Sequence, residues 1–120
     1  MKSQILDGIP TIYCEDLKES VSNVSLALKE GPMLIDVRRP DEFNGELGHI
    51  EGSQLYTLGA ELTEFLESLK KDEEVIFICR SGARSGQATL MARELGIQNT
   101  YNLGGGMIRW NALKYPILRD

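Results

Sequence analysis

The sequence predicts an α/β fold with a parallel sheet held between layers of helix. Three observations carry that expectation. Two short apolar runs, Met33-Leu34-Ile35-Asp36-Val37 and Val75-Ile76-Phe77-Ile78, are rich in β-branched residues and nearly continuous. Strands covered on both faces read this way, because neither face calls for polar side chains. Stretches of helical periodicity separate the strand candidates, and the two patterns alternate along the whole chain, as parallel strands joined by helices require.

In chain order, Thr11-Ile12-Tyr13 is the first strand candidate. Leu17, Val21, Val24 and Leu28 then repeat at i, i+4, i+7 and i+11, with Lys18, Glu19 and Ser22 off the stripe. Gly31-Pro32 and Arg39-Pro40 bracket the first apolar run and hold it to strand length. Gln54-Leu55-Tyr56-Thr57-Leu58 is a weaker strand, and Leu62, Phe65, Leu66 and Leu69 mark a second helix before the polar stretch 70–74. After the run at 75–78, Ala88, Met91, Ala92 and Leu95 form a third stripe that Gly96 is suited to stop. Thr100-Tyr101-Asn102-Leu103 is the last strand, and a last helix runs from Met107 to about Leu113, ahead of Pro116.

Composition narrows the class. The 120 residues (13.4 kDa) suit one domain spanning 1–120, with no repeat, linker or composition break. At 42% hydrophobic and 26% charged, disordered and fibrous chains are excluded. A net charge of −5 argues against general nucleic-acid or anionic-membrane binding. Cys14 and Cys79 are too few for a disulfide-built scaffold. The first residues lack the features of a secretory signal, and no apolar run has the length of a membrane span. The expectation is a cytoplasmic protein with reduced thiols.

The segment from Val75 to Gly86 carries chemistry. A buried strand ends in Cys79, a tight polar loop of Arg80, Ser81, Gly82, Ala83, Arg84 and Ser85 follows, and a helix begins. Ligands bind at the carboxyl ends of strands in parallel α/β sheets. Such a loop wraps successive N–H groups around the thiol, and the helix adds its free donors and positive dipole end. With Arg80 and Arg84 the segment is an anion cradle with sulfur at its base. The thiolate is the nucleophilic form. A free thiol of pKa about 8.5 is only about 3% ionised at pH 7, and bringing such a thiol to about 6 takes about 3.4 kcal/mol. A helix terminus and charge-assisted hydrogen bonds, at about 1.5–3 kcal/mol each for the latter, have that capacity.

The loop motif resembles that of the rhodanese (sulfurtransferase) family, and two further motifs extend the resemblance over most of the chain. Leu34-Ile35-Asp36-Val37-Arg38, with Glu42-Phe43 and Gly48-His49-Ile50-Glu51-Gly52-Ser53, is similar to the family's amino-terminal signature. Leu103-Gly104-Gly105-Gly106-Met107-Ile108-Arg109-Trp110 is similar to its carboxy-terminal element. The resemblance implies a three-layer α/β/α fold around a five-stranded parallel sheet. It implies Cys79 as a nucleophile that takes sulfur from a small anionic donor such as thiosulfate, holds it as a persulfide and passes it to a thiol or protein acceptor. Residues 80–85 would bind substrate, their N–H groups steadying the terminal sulfur, with Arg80 and Arg84 orienting the donor. No metal or other cofactor is implied, nor a nucleic-acid or membrane partner.

Two alternatives stay open. Cysteine phosphatases and arsenate reductases resemble the segment around Cys-x5-Arg, whereas Cys79 to Arg84 is Cys-x4-Arg, a tighter loop sized for one sulfur. A non-catalytic binding or regulatory module of the same family is the other, although such modules often lack the cysteine. Elsewhere, Cys14 is expected at the same side of the sheet as the loop, as an ordinary or a resolving thiol. His49 is expected to brace backbone, and Asp36 with Arg38 to form an internal ion pair. The glycines at 104–106 should turn the chain tightly into the last helix, with Trp110 packed as core.

Overall fold

The computed structural model describes residues 3–22 and 31–119. Its sheet runs in the order β1-β2-β6-β5-β3-β4: β1 Gln4–Leu6, β2 Ile9–Tyr13, β3 Met33–Asp36, β4 Gln54–Leu55, β5 Glu74–Ile78 and β6 Asn99–Gly104. The five strands from β2 to β4 pair in parallel, and β1 adds an antiparallel edge to β2. Among the described residues the expected five-stranded sheet is therefore six-stranded. All three residues of the added strand are exposed, so no buried face marks it in the sequence. Its sequence signal is the Asp7-Gly8 turn, where both residues take left-handed φ values of 52° and 78°, as tight hairpin turns demand.

The helices are α1 Cys14–Ser22, α2 Pro40–Phe43, α3 Ala60–Ser68, α4 Ala83–Glu94 and α5 Gly106–Ala112. In the first stripe Leu17 is buried, whereas Val24 and Leu28 lie outside the described residues, as does the side chain of Val21. The near-continuous apolar strands follow from two separate cores. Leu34, Ile76, Ile78 and Leu103 join Leu17 of α1 and Met107 and Trp110 of α5 on one face. Ile35, Val75, Phe77 and Cys79 join Leu62 and Leu66 of α3 and Ala88 and Ala92 of α4 on the other. Successive strand residues point to opposite faces, so both members of a pair such as Ile76 and Phe77 are wholly buried. Each such side chain contributes about 1.5–3 kcal/mol.

The buried face of α4 is made of small residues, Ser85, Gly86, Ala88, Thr89 and Ala92. Leu95, expected on that stripe, is instead 36% exposed at the helix end. Small side chains bring α4 close to the sheet, which sets the depth of the loop before it.

Candidate active site

Cys79 follows the last residue of β5, in the middle of the sheet at its carboxyl edge, and is buried. Its Sγ accepts a hydrogen bond from the Gly82 N–H at 3.0 Å and lies 3.2 Å from Ser85 Oγ. Gly82 precedes α4 with φ 108°, a conformation that favours glycine. The chain thus turns through residues 80–82, and the first amides of α4, which the helix cannot pair internally, open on the loop. Arg80, Ser81 and Ala83 are exposed, Gly82 and Arg84 half-buried, and Ser85 buried.

The glycine run at 104–106 supports the loop from the opposite side. Met107 N–H donates to Cys79 O at 2.9 Å and Ile108 N–H to Arg80 O at 3.0 Å. A Cβ on Gly106 would stand 2.5 Å from Cys79 O and 2.6 Å from Arg80 O. Only glycine admits that approach. Trp110 is buried, donates from Nε1 to Pro116 O and meets Tyr115 edge-on.

The two loop arginines part company. Arg84 makes a bidentate pair with Glu42 on α2, at 2.7 and 2.8 Å. Its hydrogen bonds hold the Glu42 carboxyl down at about 2, against burial that favours the neutral acid. Arg84, expected to orient the donor, has its fork on the Glu42 carboxylate and so clamps the loop to α2. Arg80 is exposed and borders a groove of about 410 Å³, together with Ile108, Leu47, Asp41 and Glu42.

Beneath the groove, Asp36 and Arg38 form a wholly buried pair. Asp36 Oδ2 accepts from Arg38 at 2.7 Å, and Oδ1 accepts from Arg38 Nε at 2.9 Å and its backbone N–H at 3.1 Å. Arg38 also donates to Gly48 O and Glu42 O, so it ties the long connection after α2 to the end of β3. His49 stacks on Phe43, with Nδ1 2.9 Å from Phe43 O. Cys14 sits at the same carboxyl edge as Cys79 but in the other core, with its thiol toward Gly104 O and Gly106 O. Burial, aided by the Glu15 charge, pushes that thiol up to about 11. Both cysteines are free thiols.

Two residues of this constellation do more than their sequence signals announce. Glu42 reads in sequence as a helix-start carboxylate, and its link to Arg84 spans 42 positions. Asn102 on β6 is 8% exposed, donates from Nδ2 to Gly82 O at 3.1 Å and receives Ser85 Oγ on Oδ1. Its signal was a polar amide inside a strand destined for burial.

The model of the rhodanese-like domain family matches residues 15–113. The chain belongs to the rhodanese family. It is 31% identical over 116 residues to Thiosulfate sulfurtransferase 18 of Arabidopsis thaliana, covering 86% of this chain and 84% of that protein. It is 39% identical over 77 residues to YqhL of Bacillus subtilis, where the match takes in 64% of this chain and 59% of the relative's length. The crystal structure of a rhodanese-related protein from Thermoplasma volcanium shares the fold, with a TM-score of 0.75 at 28% identity over 92% of this chain and 98% of that one. Within this rhodanese fold, no helix among the described residues is long and apolar enough to cross a membrane. Among the same residues no three His, Cys, Asp or Glu side chains cluster as metal ligands do.

Proposed function

We propose that the protein is a sulfurtransferase that moves a sulfane sulfur from a small anionic donor, such as thiosulfate, to a thiol or protein acceptor through a persulfide on Cys79. The observation that supports it most is the cradle itself. A thiol sits at the end of a central strand, with one amide hydrogen on its sulfur and the first turn of a 12-residue helix beside it. The reading has this rhodanese domain act as a catalytic unit in the cytoplasm.

In the first half-reaction the Cys79 thiolate attacks the outer sulfur of thiosulfate. The new S–S bond forms as the old one breaks, and sulfite leaves with the bonding pair. The negative charge passes to the terminal sulfur, where the amides of residues 80–85 can solvate it. Arg80, at the rim, is placed to draw the dianion in. In the second half-reaction the acceptor takes the terminal sulfur and the thiolate returns; with cyanide the product is thiocyanate. No general base is needed once the thiol is ionised.

The Cys-x4-Arg loop favours one sulfur over a phosphate, and Arg84 anchors that loop through Glu42. The test is a single-turnover incubation with thiosulfate. The chain is expected to gain the mass of one sulfur with one sulfite released, and to lose it to cyanide. A gain that survives Cys79→Ser, or p-nitrophenyl phosphate turnover abolished by that substitution, would overturn the proposal.

A further inference from the structure

Ser85 has one hydroxyl hydrogen and two neighbours able to accept it, Cys79 Sγ at 3.2 Å and Asn102 Oδ1 at closer range. The orientation of the Asn102 amide decides between them. Its Nδ2 donates to Gly82 O, so turning the amide over would set two oxygens against each other there. Oδ1 must therefore face Ser85, and as an acceptor it takes the hydroxyl hydrogen. A neutral Cys79 thiol fits this arrangement, since its S–H can donate to the lone pairs of Ser85 Oγ. A thiolate does not fit as well: to receive a second donor it must take the Ser85 hydrogen from Asn102.

We propose that Asn102 is a positioning residue for Cys79: its amide, oriented by the Nδ2 bond to Gly82 O, holds the Ser85 hydroxyl on Oδ1 and so governs whether the sulfur receives that second donor, while Gly82 O keeps the Gly86 N–H whatever stands at 102. This rests on Cys79 as the reacting thiol. Asn102 stands at the right place because it pairs with Phe77 in register on the neighbouring strand, on the face that carries Cys79 and α4. When a persulfide forms, the charge moves off Sγ and the Ser85 hydrogen can return to Asn102.

The charged groups around the sulfur are Arg84 with its Glu42 partner on α2, Arg80 on the loop and the Asp36–Arg38 pair at the end of β3. None is altered by a neutral substitution at 102. The experiment measures iodoacetamide alkylation of Cys79 against pH in four proteins: unsubstituted, Asn102→Leu, Ser85→Ala and the double variant. With the competing acceptor gone, Ser85 donates to the thiolate without loss. The half-alkylation pH of Asn102→Leu is expected to fall by about half to one unit, roughly three- to tenfold in thiolate at a fixed pH below the midpoint. In the Ser85→Ala background the same substitution should leave it unchanged.

An equal shift in both backgrounds, a shift upward, or none in either would overturn the proposal. Asn102→Val, whose branched side chain suits a strand, carries the same test if the leucine variant does not fold. Alkylation needs no sulfur donor. Coupling without sulfur loading would sink the proposed function alone, and loading without coupling would sink this inference alone.

Discussion

Glu42→Gln tests the clamp that ties the loop to α2. The carboxylate accepts both arms of the Arg84 fork and the Arg39 backbone N–H. Its folded value of about 2 lies below an unfolded value of 4.5. Above 4.5 the group is ionised in both states, and its contribution to stability is complete. As the pH falls from 4.5 to about 2, the unfolded chain takes up the proton first and that contribution is lost. A depression of about 2.5 units is equivalent to about 3.4 kcal/mol. The Arg84 side chain retains 32% exposure, so solvent screening reduces the figure to about 1.5–2 kcal/mol. Urea unfolding at pH 7 should show Glu42→Gln less stable by that amount, and the gap should close at pH 2. Sulfur loading should slow as well, since the loop loses its tether. A gap of equal size at both pH values would refute the ionic reasoning, and no gap at either would remove the clamp.

Substitutions at two further positions, Cys14 and Gly106, test the surroundings of the loop. Cys14, held near 11 by burial, should resist iodoacetamide at pH 8 in the folded chain and react in urea, and Cys14→Ser should leave sulfur loading unchanged; rapid labelling of Cys14 itself in the folded chain, located by peptide mass, would refute its burial. Because its folded value is raised, the stability it confers is present below about 9 and lost as the pH climbs to about 11, a fall of about 2–3 kcal/mol that Cys14→Ala should not show in pH-dependent urea melts. Gly106→Ala puts a Cβ into Cys79 O and Arg80 O at a φ of 55°, and should cost at least about 2 kcal/mol in thermal unfolding and abolish loading. A change within about 0.5 kcal/mol would show that the two carbonyls yield readily.

The parts of the molecule legible in sequence are those whose signal is local. The two buried strands announce themselves because each residue enters one of two cores. Cys79 and its loop are readable because strand, turn and helix start are contiguous. The third helical stripe is only half readable. Its inner face is built of Ser85, Gly86 and Thr89 as much as of Ala88 and Ala92, so close approach rather than hydrophobicity selects those residues. Edge strand β1 has no buried face at all, and only its turn residues betray it.

A parallel α/β sheet, and a central strand that ends in a thiol with a loop suited to anions, can be read from the residues in order, because burial and turn chemistry act over a few positions. Which groups surround that thiol is fixed in three dimensions. Arg84 is paired with a carboxylate 42 positions away, Ser85 is claimed by an amide from another strand, and the second cysteine is set in the opposite core. Hydrogen bonds and ion pairs depend on ångström distances in space, and the spacing of residues along the chain does not encode those distances.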